Sequence, residues 1–217
     1  MAGQKATFAV RTEVRGRSAH SSRPALGLNA IVAASRIAQF LDTINGGGVL
    51  DAAHDERFEP PHSTANAGKI AGGVARNVVP EFAALEWDCR VLPATEPAAA
   101  LDLVETFSAG LRAEGFEVAT RRINFMPGLL PDGNEAAISA IMRCLPDAPM
   151  EFVAYGTEAG FFQAAGWPAV VCGPGSIEQA HRPDEFVAVD ELRKCLSLLS
   201  SLISECARTR QAAPLGG

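Results

Sequence analysis

No stretch of this chain is apolar for long enough to cross a bilayer. The longest runs, such as Pro168 to Cys172, fall far short of the roughly 20 residues a spanning helix needs. The first fifteen residues carry Lys5, Arg11, Glu13 and Arg15 without an apolar core, so no signal peptide is expected. Basic charge is also scarce. The formal net charge is −6, and beyond Arg121-Arg122 and Arg208 to Arg210 no basic stripe offers a footprint for nucleic acid. Paired cysteines are missing too: five are scattered without a CxxC pair, which predicts reduced, mostly buried thiols in a cytoplasmic protein. HExxH, GxSxG and Walker patterns are all absent, and Gly72-Gly73 is too little for a dinucleotide fingerprint. Serine hydrolase, nucleoside triphosphatase and dehydrogenase readings therefore have nothing to rest on.

What is present is a chain of 217 residues, 47% hydrophobic and 20% charged, an ordinary composition for a globular protein with a core. Residues Ala6 to Arg15 alternate, with Phe8, Val10, Thr12 and Val14 on one side, and read as a half-buried strand. Leu28 to Ile44 has helical spacing through Leu28, Ile31, Val32, Ser35, Ala38 and Leu41 and stops at Asn45-Gly46-Gly47-Gly48. A loop over His54 to His62 follows, then a strand over Thr64 to Ile70, a turn or bulge at Gly72-Gly73, and a strand over Ala83 to Val91. A helix over Pro97 to Leu111 and a strand over Glu117 to Phe125 complete the order β-α-β-β-α-β, the split βαβ pattern of a ferredoxin-like domain.

Met126 to Gly133 is rich in Pro and Gly and marks a boundary, giving expected segments 1–125 and 126–217. The second segment reads as a helix over Asn134 to Cys144, a short strand over Glu151 to Ala154, a helix over Glu158 to Ala165, a buried strand over Ala169 to Cys172 and a long helix over Leu192 to Cys206. The fold class is α/β (α+β). Two short strands make a poor sheet, so this segment reads as part of a larger α/β layer.

Four histidines are available. His20, in a polar turn between strand and helix, can face a cleft and donate to a developing oxyanion, or simply bond the adjacent serines. His181 follows Gly173-Pro174-Gly175-Ser176 on a loop after the buried strand, where Asp184 and Glu185 could orient a metal-binding imidazole. An exposed loop histidine is the plain alternative. His54 and His62 read as surface. Asn77 and Arg90, read side by side, would suit an amino-acid carboxylate, or be an ordinary turn Asn and surface Arg. Thr157 and Glu158 could be a helix start with an acidic first turn.

Three stretches taken together resemble the M20 family of zinc-dependent amidohydrolases and peptidases, closest to the amino-acid deacetylases within it. They are GRSAHSSRPALGLNAI (Gly16 to Ile31), RFEPPHSTANAGKIAGGVARNVVP with WDCRVLP (Arg57 to Pro80, Trp87 to Pro93), and FVAYGTEAGFFQAAGWPAVVCGPGSIEQAHRPDEFV (Phe152 to Val187). The resemblance implies a ferredoxin-like lid over residues 1–125 that forms a homodimer, followed by the closing segment of a catalytic domain. It implies that His181 is the last metal ligand and that His20 reaches into the partner subunit's site to stabilise the tetrahedral intermediate. It further implies that Asn77 and Arg90 hold the substrate's carboxylate, and that Thr157, Glu158, Gly173 and Ser176 edge the substrate pocket, Glu158 toward an amine. The complete enzyme would use zinc or cobalt on a small acyl-amino acid, without nucleic acid or membrane. The other metal ligands and the general base lie upstream of the lid in the family, so this chain is expected to be inactive alone, to hold no metal alone, and to expose apolar faces over Phe152 to Cys172 and the last helix. Two alternatives remain: a non-enzymatic dimerising module, or part of another family member such as a desuccinylase or an aminoacylase.

Overall fold

The computed structural model describes residues 1–52 and 54–212. Residues 213–217, at the end of the expected second segment, lie outside the described residues. The elements are β1 (Gly3–Gln4), β2 (Ala6–Arg15), β3 (Ala19–His20), α1 (Ala30–Asp42), β4 (Thr64–Gly72), β5 (Val78–Val79), β6 (Phe82–Val91), α2 (Ala98–Ala113), β7 (Glu117–Met126), α3 (Glu135–Cys144), β8 (Phe152–Val153), α4 (Ala159–Ala164) and α5 (Val189–Ala212).

The four long strands form one antiparallel sheet in the order β4-β6-β2-β7, the arrangement a split βαβ pair produces, with α1 and α2 covering one face. The alternation read from the sequence is the alternation observed: Phe8, Val10, Thr12 and Val14 of β2 are buried, as are Leu85, Trp87, Cys89 and Val91 of β6. In the core the Trp87 indole N–H donates to Thr12 Oγ1 at 3.0 Å, and Thr12 Oγ1 lies 3.1 Å from Thr120 Oγ1. This polar bridge ties three strands together where an unpaired donor would be costly.

Helix α1 differs from expectation in its start and its face. Leu28 stays outside because its backbone pairs with Arg17, through N–H···O bonds of 3.0 and 2.9 Å. Asn29 caps the helix instead, its Oδ1 accepting from Ile31 N at 3.0 Å and Val32 N at 3.2 Å. The buried stripe is Ala30, Ala33, Ala34, Ile37 and Leu41, while Val32 is 54% exposed. The opposite side carries Gln39 and Asp42, exposed, with Ser35 and Arg36 half-buried, so the helix is two-faced. The expected stripe is rotated toward that side because it takes Val32 and Ser35 as inward and passes over Ala33, Ala34 and Ile37, whose small or well-fitting side chains permit close approach to the sheet.

The second segment also departs from expectation. Ala169 to Cys172 is neither buried nor a strand: among the described residues its only ladder-like contact is Val171 with Met1, through bonds of 3.0 and 3.3 Å, too little to propagate a strand. The strand over Glu151 to Ala154 shortens to β8, which pairs in parallel with β1. Gly3 and Gln4 thus join the second layer, so the first residues do not belong with the sheet that follows them. Of the cysteines only Cys89 is buried; Cys172 and Cys206 are exposed, which corrects the expectation of mostly buried thiols.

On α5 the stripe Leu192, Leu196, Leu199 and Ile203 faces outward, Leu196 being 65% and Ile203 70% exposed, as expected of an unfinished layer. No helix among the described residues is long and apolar enough to cross a membrane.

Candidate functional site

The open face of the sheet, opposite α1 and α2, carries polar side chains. On β6, Asp88 and Arg90 point there because their neighbours Cys89 and Val91 point into the core. Arg90 Nε donates to Asp88 Oδ1 at 3.2 Å, and Asp88 Oδ2 lies 3.4 Å from Asn66 Nδ2 on β4. On the other side, a bulge between Ala9 and Val10 lets Asn124 Oδ1 accept from Ala9 N at 2.7 Å. Neither Nη of Arg90 makes a hydrogen bond with any described residue, so the guanidinium keeps the two donors that grip a carboxylate in parallel.

Arg90, Asp88, Asn124 and His181 line a common cleft of about 670 Å³, closed at the side by Tyr155, Gly156 and Ile177. Burial, and then the Glu151 carboxylate, hold the Tyr155 phenol above its ordinary range, so it stays a protonated donor. His181 adopts a left-handed φ of 62° and its backbone N–H, not its ring, meets Glu185 Oε2 at 3.2 Å. The expected carboxylate orienter of the imidazole is therefore not there: the loop turns Glu185 back onto the peptide.

His20 and Asn77 stand elsewhere. Ala19–His20 pairs with Val78–Val79, and Ser21 N donates to the Asn77 carbonyl at 3.0 Å, which puts the two side by side. This small sheet is fastened to the beginning of β6, where Gly16 N donates to Glu81 O at 2.9 Å. Arg90 lies at the other end of β6. At about 3.4 Å per residue the stretch from Phe82 to Arg90 spans about 27 Å. The sequence reading that set Asn77 beside Arg90 is thus corrected within one chain: the whole of β6 lies between them.

The remaining expected site residues divide. Gly173 and Ser176 line an adjoining cleft of about 640 Å³ that shares Tyr155 and Ile177 with the first. Ser176 Oγ also accepts from Glu178 N at 3.2 Å, capping a short turn. The Thr157 hydroxyl is already occupied, donating to Gln4 Oε1 at 2.7 Å and accepting from Ala159 N at 3.2 Å. Glu158 is exposed immediately before α4 and lines neither cleft, and no acidic residue falls in the first turn of α4.

Sequence reasoning missed Gln4, whose amide is wholly buried and wholly used. Nε2 donates to Pro127 O at 3.0 Å and Thr157 O at 2.8 Å, while Oε1 accepts from Thr157 N and Oγ1. It fixes the Tyr155–Thr157 wall of the cleft against the end of β7. Lys5 is likewise buried, its Nζ donating to Pro60 O at 2.7 Å and His62 O at 2.6 Å.

The peptidase dimerisation domain of the M20 family matches residues 2–114. The chain belongs to the M20 family. It is similar to proteins named acetylornithine deacetylase: that of Myxococcus xanthus is 34% identical over 194 residues, covering 88% of this chain and 50% of the relative. That of Pasteurella multocida is 37% identical over 197 residues, covering 88% and 50%. Among solved structures, a tripeptidase from Staphylococcus aureus superposes with a TM-score of 0.70 at 23% identity, over 96% of this chain and 53% of that one. An aminopeptidase PepT from Bacillus cereus gives 0.71 at 21%, over 95% and 53%. These last two likenesses speak for the fold. This M20 chain spans about half the length of the curated relatives it matches.

The family implies a metal, and the side chains described do not make a site for one. Among the described residues no three of His, Cys, Asp and Glu converge on a point that could hold a metal ion. A catalytic metal needs about three protein ligands, so the residues of this chain do not fit the group by themselves.

Proposed function

We propose that this chain is the dimer-forming and carboxylate-binding part of an M20 amidohydrolase that removes an acyl group from an amino acid, N-acetylornithine being the first candidate. Residues 1–125 would serve as the lid and 126–217 as the closing segment of the catalytic domain. Arg90 grips the substrate's α-carboxylate through its two free Nη donors, with Asn124 and Tyr155 beside it. His181 is the residue placed to become one ligand of a metal whose other ligands lie outside this chain, and without them the chain is inactive. Gly173 and Ser176 edge the adjoining cleft. His20 donates a hydrogen bond to the oxyanion that forms as water adds to the acyl carbon and before the C–N bond breaks. Asn77 travels with it.

The observation that carries this reading is the separation of His20 and Asn77 from Arg90 and His181 along one strand. A second copy removes the separation. Edge strand β4 has an exposed outer flank bearing a single charge, Lys69, whereas the opposite edge β7 carries Glu117, Arg121 and Arg122 and a bulge. Pairing two β4 strands about a two-fold axis is necessarily antiparallel, so the Gly72 end of one meets the Thr64 end of the other. Thr64 is in register with Arg90. One subunit's His20 and Asn77 then approach the partner subunit's cleft, and the same happens at the second site.

The test is deacetylation of N-acetylornithine with added zinc or cobalt, by the chain alone and by the chain mixed with the separately expressed N-terminal half of the Myxococcus xanthus relative. Activity in the mixture only is expected. Activity of the chain alone, or silence in both, would refute this account of the site.

A further inference from the structure

His20 is the last residue of β3 and has an exposed ring, and one residue meets its Nδ1 twice. The backbone N–H of Ser22 donates to Nδ1 at 3.2 Å, and Ser22 Oγ lies 2.8 Å from the same atom. A backbone amide nitrogen can only donate, so Nδ1 is the accepting nitrogen and the neutral ring carries its hydrogen on Nε2. A hydrogen on Nδ1 would be aimed at the amide hydrogen of Ser22. The hydroxyl, free to rotate, turns its own hydrogen toward the same lone pair.

The turn that presents these groups is held independently of the ring. Arg23 N donates to His20 O at 2.9 Å, Ser21 N to Asn77 O at 3.0 Å, and Arg17 Nε to Leu26 O at 2.9 Å. Ser22 is therefore delivered to Nδ1 by the backbone and does not depend on the imidazole to hold it there. No described residue bonds Nε2, which leaves its hydrogen free for a ligand.

We infer that Ser22 is a positioning residue that locks His20 as an Nε2–H donor, so that the ring meets a developing oxyanion with a hydrogen to share and cannot act there as a base. This deepens the reading that His20 serves the partner subunit's site and rests on it. No proton changes hands: the hydrogen stays on Nε2 while the carbonyl oxygen gains charge, and the interaction strengthens as it does so.

The test reads the tautomer directly, by long-range ¹H–¹⁵N correlation spectra of the 217-residue chain with labelled histidine. Spectra are taken about two pH units above the ordinary value for free imidazole, about 6.5. With four histidines in the chain, His20→Gln assigns the signal. The expected result is a single Nε2–H form in the wild type and in Ser22→Thr, which keeps both donors. In Ser22→Ala, which keeps the amide and loses the hydroxyl, it is a several-fold rise in the Nδ1–H form that still leaves Nε2–H in the majority. An Nδ1–H ring in the wild type, a mixture like that of free imidazole, or a Ser22→Ala spectrum identical to wild type would overturn the lock. These spectra do not depend on dimer formation or turnover. A failed lock is thereby told apart from a failed role for His20 in the partner's site, which subunit mixing reads.

Discussion

Replacing Thr12 by valine sets two physical terms against each other in the middle of the sheet. Thr12 is fully buried and its hydroxyl accepts the Trp87 indole N–H at 3.0 Å, with Trp87 itself only 2% exposed. Valine has nearly the same shape, and apolar burial alone would make the substitution neutral or favourable, since a methyl replaces a hydroxyl in a dry site. The hydrogen bond predicts the opposite. The indole N–H would be left without an acceptor where water cannot reach, a cost of about 1–3 kcal/mol. Thr120 Oγ1, 3.1 Å away, loses a partner too, but it is only half-buried and adds less. A net loss of about 2 kcal/mol is expected, which in a chain of this size lowers the melting temperature by about 4–8 °C. Urea unfolding followed by tryptophan fluorescence measures it directly. A Thr12→Val variant as stable as the wild type, or more stable, would refute the account of the polar bridge.

Other substitutions test the same reasoning with the sign changed. Ser108 is buried on α2 with a hydroxyl that has no partner among the described residues, so Ser108→Ala should gain about 1 kcal/mol in urea unfolding. Burial lowers the pKa of Lys5 below its ordinary 10.5, so between those two values the native state binds fewer protons than the unfolded chain. Stability should therefore rise with pH across that interval and level off above it, and unfolding midpoints of Lys5→Met should lack this rise. Burial pushes the Cys89 thiol up to about 12, while Cys172 and Cys206 are exposed. A thiol reagent near neutral pH should label the latter two in the folded protein and Cys89 only after unfolding, as read by peptide mass.

The long strands were legible in the sequence because β2 and β6 each bury one face and leave the other wet, so alternation reports both element and orientation. The β-α-β-β-α-β order then left the sheet little choice of topology. What resisted reading has definite causes. Helix α1 buries Ala33, Ala34 and Ile37, and a stripe drawn through Ile31, Val32 and Ser35 is rotated away from them toward the side that carries Gln39 and Asp42. Gln4, Lys5 and Asp51 look like surface residues by type, yet each is buried by partners distant in sequence, Asp51 accepting from the backbone and hydroxyl of Ser63 and from Thr95 Oγ1. Ala169 to Cys172 has the composition of a buried strand but, among the described residues, only Met1 to pair with. The site shows the same division. Each candidate residue could be named from its motif, but Asn77 and Arg90 are near neighbours in sequence and at opposite ends of a strand in space. Only the register of β6 separates His20 and Asn77 from Arg90 and His181, the separation on which the proposed two-subunit site rests.

The most direct test of a shared site is subunit mixing of this chain supplemented with the N-terminal half of the Myxococcus xanthus relative. His20→Ala removes one half-site from every subunit that carries it, and Arg90→Ala removes the other. Each variant alone should be nearly inactive. When the two are mixed and exchanged, half of the dimers pair unlike subunits, and in each of these one of the two sites regains an intact His20 and an intact Arg90. Activity should therefore recover to about a quarter of the wild-type value. A mixture no more active than either variant alone would mean that His20 and Arg90 serve the same subunit, and would contradict a site shared across the two-fold axis.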